Sequence, residues 1–172
     1  MQLKLAQTRK YNRARRASAA SIAELGAALI VVIPIVLILI DTAMLAIGVS
    51  INDSCCRDAA RAAAAGPPAE ATTGERNAGP GSEPYKRALD VVKNVWVTNL
   101  PMKVKDELKV REKIQDYPLA ELGGAMDGEV GVETTIEVNP PCLVGAIVGH
   151  SISFKSFHSV NYTYVVPKQP ET

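Results

Sequence analysis

Leu25-Gly26-Ala27-Ala28-Leu29-Ile30-Val31-Val32-Ile33-Pro34-Ile35-Val36-Leu37-Ile38-Leu39-Ile40 is a run of 16 residues without a charged side chain. After one acid, Asp41, ten more uncharged residues follow from Thr42 to Ile51. A helix needs about 20 apolar residues to cross the hydrocarbon of a bilayer, so this stretch predicts one membrane-spanning helix. Pro34 lies mid-run. In water it would cost a helix about 3 kcal/mol, but spanning helices accommodate it as a kink. The competing reading is a cleavable secretory signal, whose apolar core is shorter, about 7 to 15 residues, and ends in small residues at A-x-A spacing. Ala43-Met44-Leu45-Ala46 departs from that spacing, which favours a retained anchor.

Upstream, the first 23 residues hold Lys4, Arg9, Lys10, Arg13, Arg15 and Arg16 and no acid, so the formal net charge of +1 conceals a basic end and a mildly acidic remainder. A basic cluster beside an apolar helix is a topology signal: it stays cytoplasmic and directs the C-terminal part across the membrane. Downstream, Ser54 to Ala65 is alanine-rich, Asp53 and Arg57 are spaced for an i,i+4 ion pair, and Gly66-Pro67-Pro68 is a stop signal. A helix over 21–65 would be about 65–70 Å long. That exceeds what an anchor needs, leaving its outer half to pack on its own domain or on neighbouring subunits.

Two acids flank the apolar run. Glu24 opens it; a charge within the hydrocarbon costs about 2.5–3.5 kcal/mol on insertion scales and is by default a functional group. The alternative is simple hydration at the cytoplasmic interface. Asp41 lies 17 residues further on, about 25 Å along the axis, and is expected either to mark the outer interface as a hydrated group or to take part in assembly.

Arg15-Arg16-Ala17-Ser18-Ala19-Ala20-Ser21-Ile22-Ala23-Glu24, the apolar helix with Pro34, Asp41 and then Arg57-Asp58-Ala59-Ala60-Arg61-Ala62 form an ordered set. This set resembles the TadE/TadG-like family, minor pseudopilins of tight-adherence pilus machinery. The resemblance spans the chain, and its specific part is residues 15–65. It implies a pilin-like subunit in a bacterial inner membrane, with partners among other pilin or pseudopilin subunits and the option of incorporation into a surface pilus. It also implies assembly through Glu24, Asp41 and the Pro34-containing helix. If a prepilin peptidase removes the leader, counting back from Glu24 puts the cut between Ala19 and Ala20, and Glu24 would then pair with a neighbour's new α-amine. TadG-like members keep their N-terminus, so an intact Met1 is the other outcome.

The outer part reads as a small α+β domain. Residues 66–84 hold eight glycines and prolines among 19 and read as a linker. Tyr85, Ala88, Leu89, Val92, Val95 and Trp96 recur at spacings of three and four, one face of a short helix, with Ser82 to cap it and Pro84 in its first turn. From Lys103 to Ile114 every odd position is charged, while Val104, Leu108, Val110 and Ile114 share the even parity. Val130, Val132, Thr134, Ile136 and Val138 alternate with Glu129, Glu133 and Glu137, and Phe154, Val160, Tyr162, Tyr164 and Val166 share a third parity. These are half-buried antiparallel strands with one wet face. The expected architecture is α+β and pilin-like: a long N-terminal spanning helix packed on a small antiparallel sheet, with one further short helix. Its divisions are a basic cytoplasmic leader (1–20), the helix (21–65), the linker (66–84) and an extracytoplasmic domain (85–172). Leu143 to Val148, after Pro140-Pro141-Cys142, is core, a short helix, or an exposed apolar patch for a partner or the membrane surface.

Nothing in the sequence converges on catalysis. There is no nucleophile elbow, no phosphate-binding glycine loop and no H-E-x-x-H. His150 and His158 are eight residues apart, about 26 Å along a straight strand, and so cannot share a metal without a turn between them. No enzyme activity, cofactor or metal is expected. Nucleic acid is not an expected partner either, since the basic strand lies outside the cytoplasm and lacks interleaved aromatics. Cys55 and Cys56 are adjacent, so no zinc spacing exists. In an oxidising compartment one of them can bridge Cys142, or all three remain thiols. The leading expectation is a non-enzymatic pseudopilin-like structural subunit. The alternative is a membrane-tethered extracytoplasmic binding module.

Overall fold

The computed structural model describes residues 2–95, 100–119, 122–149 and 151–168, with side chains from residue 24 onward. Helix α1 runs from Gln2–Ala64, 63 residues that include Pro34. At about 1.5 Å per residue this is roughly 95 Å. The helix therefore begins in the basic leader rather than at residue 21, and it ends where Gly66-Pro67-Pro68 forbids another turn. Asp53 and Arg57 form the expected ion pair.

The remaining elements are β1 (Gly74–Ala78), α2 (Glu83–Lys93), β2 (Met102–Val104), β3 (Lys109–Ile114), β4 (Gly124–Val138), α3 (Leu143–Val148) and β5 (Ile152–Val166). The architecture is α+β, as expected, with a long apolar helix against a small antiparallel sheet. β4 is its spine. β5 pairs along the whole of one edge, from Gly124 opposite Val166 to Val138 opposite Ile152. β3 and β2 share the other edge end to end, and β1 pairs beyond β3.

Two expectations need correction. The stretch 66–84 is not wholly a linker, because Gly74–Ala78 is the edge strand β1. Its sequence, GERNA, buries only Ala78, so it lacks the apolar alternation by which strands are recognised. The segment 103–114 is also two strands. Val104 faces Ile136 and Lys109 faces Glu133, five steps on one side against three on the other. The two-residue surplus bulges between β2 and β3. Because two is the side-chain period of a strand, parity survives the bulge. Val104, Leu108, Val110 and Ile114 are all buried.

The sheet's wet face carries cross-strand charge pairs. Lys109 lies opposite Glu133 and Lys113 opposite Glu129. Lys105 reaches Glu137 at 2.8 Å, and Lys155 reaches Glu133 at 3.3 Å. Lys155 chiefly, with Lys109, holds the Glu133 carboxyl below the usual carboxylate range. Such exposed pairs are worth a few tenths of a kcal/mol each and mainly fix register.

Opposite parities build the core. Val110, Val130, Val132, Ile136 and Val138 meet Cys55, Ala59, Ala60 and Ala63 of α1 and Ala88 and Val92 of α2. The small side chains of α1 let its backbone approach the sheet closely. Gly48 is the extreme case: a β-carbon there would overlap the side chain of Val138. α2 buries the expected face, Ala88 and Val92 with Tyr85, Leu89 and Val95 packed alongside, and Pro84 stands in its first turn. Trp96 lies outside the described residues. Ser82 occupies the N-cap position but makes no side-chain cap; its hydroxyl donates to the Gly79 carbonyl at 2.9 Å.

Candidate functional site

α1 changes character at Asp41. From Leu25 to Ile40 its side chains are exposed, with Pro34 and Leu37 half-buried: Leu25 is 63% exposed and Ile30 75%. From Asp41 onward one stripe disappears into the domain. Asp41, Gly48, Asn52, Cys55, Cys56, Ala59, Ala60 and Ala63 are all buried, at the spacings that keep residues on one helical face.

Four polar groups lock that stripe in place. The Asp41 carboxylate, fully buried, accepts from the backbone amides of Cys142 at 2.9 Å and Val144 at 2.7 Å, at the start of α3. Asn52 donates to the Phe154 carbonyl at 3.2 Å and to Ser156 Oγ at 3.1 Å, and accepts from Thr134 Oγ1 at 3.0 Å, spanning β4 and β5. Cys56 Sγ lies 3.1 Å from the Val132 carbonyl and 3.3 Å from that of Ser156. At the end of α1, Arg87 from α2 donates to the carbonyls of Ala62, Ala63 and Pro67 at 2.7–3.1 Å. A cation on the last carbonyls both satisfies them and opposes the negative end of the helix dipole.

A further buried group, Glu112 of β3, accepts from the Tyr162 hydroxyl at 2.7 Å and the Ala69 amide at 2.9 Å. Burial, and then the neighbouring Glu112 carboxylate, push the Tyr162 phenol well above the ordinary tyrosine range. The folded state thus favours the protonated phenol. Its contribution to stability is complete below about pH 10, the unfolded value, and is lost as pH rises through the folded value. Stability to unfolding, followed from pH 9 upward, should therefore fall less steeply for Tyr162→Phe than for the unaltered chain.

The sequence-predicted residues are dispersed rather than gathered. Glu24 is exposed at the start of the apolar run, and Pro34 is half-buried within it. Ala19 and Ala20 lie in the helical backbone of α1. Asp41 is not a hydrated marker of the interface, because its carboxylate is wholly engaged within the chain. The bridge from Cys55 or Cys56 to Cys142 is corrected by geometry. Cys142 is held against Asp41, 14 residues before Cys55, about 21 Å along the axis, whereas a disulfide needs α-carbons within about 7 Å. All three cysteines are free. His158 is half-buried on β5 opposite Val132, and His150 lies outside the described residues. Among the described residues no three His, Cys, Asp or Glu side chains are placed to hold a metal ion.

Sequence reasoning missed Asn52, Glu112 and Arg87. Glu112 carried a signal, a lone charge on the apolar parity of its strand. Asn52 carried a weaker one, a lone amide next to the apolar run. Arg87 carried none. Comparison of the chain with protein-family models, with curated proteins and with solved structures finds no match. The class defined by the coordinates is thus an α+β domain on one helix long and apolar enough to cross a membrane.

Proposed function

We propose that this chain is a non-enzymatic structural subunit, resembling the TadE/TadG-like minor pseudopilins, that inserts α1 among the helices of other subunits of a tight-adherence pilus or secretion apparatus. Its N-terminus lies in the cytoplasm and its sheet domain on the far side of a bacterial inner membrane. The observation that carries this reading is the apolar length of α1 from Leu25 to Ile40, along which every side chain but Pro34 and Leu37 is exposed. A soluble domain does not leave such a surface to water; it needs lipid or other helices. The same helix continues unbroken into the core through Asn52, Cys56 and Ala60, which supports a retained anchor over a discarded signal.

Glu24 then stands on the exposed helix with no ion pair to a described residue, a carboxylate that a neighbouring subunit's cation would compensate. Glu24→Ala should leave insertion and folding unchanged while abolishing co-purification with, or crosslinking to, partner subunits. Retained assembly would reduce α1 to an anchor exchangeable for any spanning helix. A tethered binding module is the second reading. It draws on Phe157, 59% exposed on the wet face, lying over Gly131 beside a surface hollow of about 230 Å³ shared with Glu75, Arg111 and Lys113. Such a module would tolerate Glu24→Ala and lose its ligand on Phe157→Ala.

A further inference from the structure

We propose that α3 is a membrane-surface element, seated in the outer headgroup–acyl boundary, that sets the height of the sheet domain above the bilayer. The inference rests on the spanning reading of α1. Three observations converge on it.

The first is position. Asp41 binds the first turn of α3 through two amides, so α3 is fixed at the level where α1 ceases to be naked. Glu24 to Asp41 covers about 25 Å of helix and the hydrocarbon is about 30 Å thick. With Glu24 at the cytoplasmic boundary, the outer boundary falls a few residues beyond Asp41, level with α3.

The second is composition. Between Glu137 and Lys155 the sequence holds no Asp, Glu, Lys or Arg, whereas β4, which leads into this stretch, carries Asp127, Glu129, Glu133 and Glu137. The uncharged stretch turns through Pro140 and Pro141, forms α3 and returns through Gly149, whose positive φ of 67° closes the helix. A stretch without charge is one that the hydrocarbon boundary does not penalise.

The third is exposure. No side chain of α3 is buried, and Ile147 is 76% exposed. Leu100, also exposed, is at the same end of the sheet, next to the Pro101 carbonyl that accepts from the Asn139 amide at 2.7 Å. Asp41, which holds this apolar surface, directly follows Leu39 and Ile40 of α1, which are exposed as well. Lipid is therefore the occupant this surface fits, as for helices that lie in the interface plane.

Single-tryptophan quenching in reconstituted vesicles tests this. Trp96, the sole tryptophan, is replaced by Phe, and the full chain carries one tryptophan at Ile33, Ile147 or Phe157, all exposed positions. The vesicles contain phosphatidylcholine brominated either near the headgroup or near the end of the acyl chain. Ile147→Trp should show blue-shifted emission and about a two-fold loss with the shallow bromine, less with the deep one, as an interfacial side chain does. Ile33→Trp should be quenched best by the deep bromine, and Phe157→Trp by neither. If Ile33→Trp is quenched and Ile147→Trp is not, the α3 proposal is overturned and the span stands. Blue-shifted but unquenched emission at Ile147 would mean a protein partner covers α3, and also overturns it. An unquenched Ile33→Trp would overturn the spanning reading itself.

Discussion

Asp41→Ala should release α3 from α1 and lower the stability of the outer domain by about 3 kcal/mol or more. Hydrogen bonds to a charged group are worth about 1.5–3 kcal/mol each, and Asp41 makes two, to the amides of Cys142 and Val144. Alanine removes both and leaves two donors unsatisfied where no described side chain replaces the carboxylate. Asp41→Asn keeps one carbonyl oxygen as acceptor but turns an amide N–H toward the second donor, so it should recover only part of the loss. Hydrogen exchange in detergent reads the effect directly. The amides of residues 142–148 should exchange much faster in Asp41→Ala while those of β4 alongside Val132 remain protected. Equal protection in the two proteins would mean that the Asp41 contacts contribute nothing. Because this role is internal, a loss of assembly in Asp41→Ala must be compared with α3 exchange before it is assigned to a partner.

Gly48→Leu should separate α1 from the end of the sheet that carries Val138. Glycine inside a helix costs about 1 kcal/mol relative to alanine, so its presence at a buried position needs a packing reason. Val138 provides one: fully buried and β-branched, it occupies the space a β-carbon at residue 48 would need and cannot rotate away cheaply. Even Gly48→Ala should destabilise, because overpacking costs about 1–3 kcal/mol against the gain in helix propensity. Gly48→Leu should lie at or beyond the upper end of that range. In a Val138→Ala background the sign for Gly48→Ala should reverse, since the obstruction is gone and the propensity gain remains. Thermal unfolding of the four proteins in a double-mutant cycle measures the coupling. Additive effects would show that residues 48 and 138 do not touch.

Elements governed by periodicity were legible in the sequence. The apolar run, the three strand parities and the face of α2 around Ala88 and Val92 follow from which positions repeat, and the two-residue bulge between β2 and β3 hid itself by preserving parity. What stayed hidden is set by distance along the chain. Nothing near Asp41 announces that its partners are Cys142 and Val144, more than a hundred residues away, and nothing near Arg87 announces the carbonyls of α1. β1 was illegible for another reason: an edge strand that buries one small residue has no pattern to show. The cysteines misled because adjacency and oxidation chemistry say nothing about height along a rigid helix, and here about 21 Å of helix separates Asp41, which holds Cys142, from Cys55.

The central claim is that α1 crosses a membrane and presents the sheet domain on the side opposite its basic end. Sealed cells or right-side-out vesicles carrying the full chain with a different epitope at each terminus test it in one experiment. The account predicts that the protein stays with the membrane after alkaline carbonate washing, and that external protease removes the C-terminal epitope and leaves the N-terminal one. A carbonate-soluble chain, or one whose N-terminal epitope is the one digested, would contradict it.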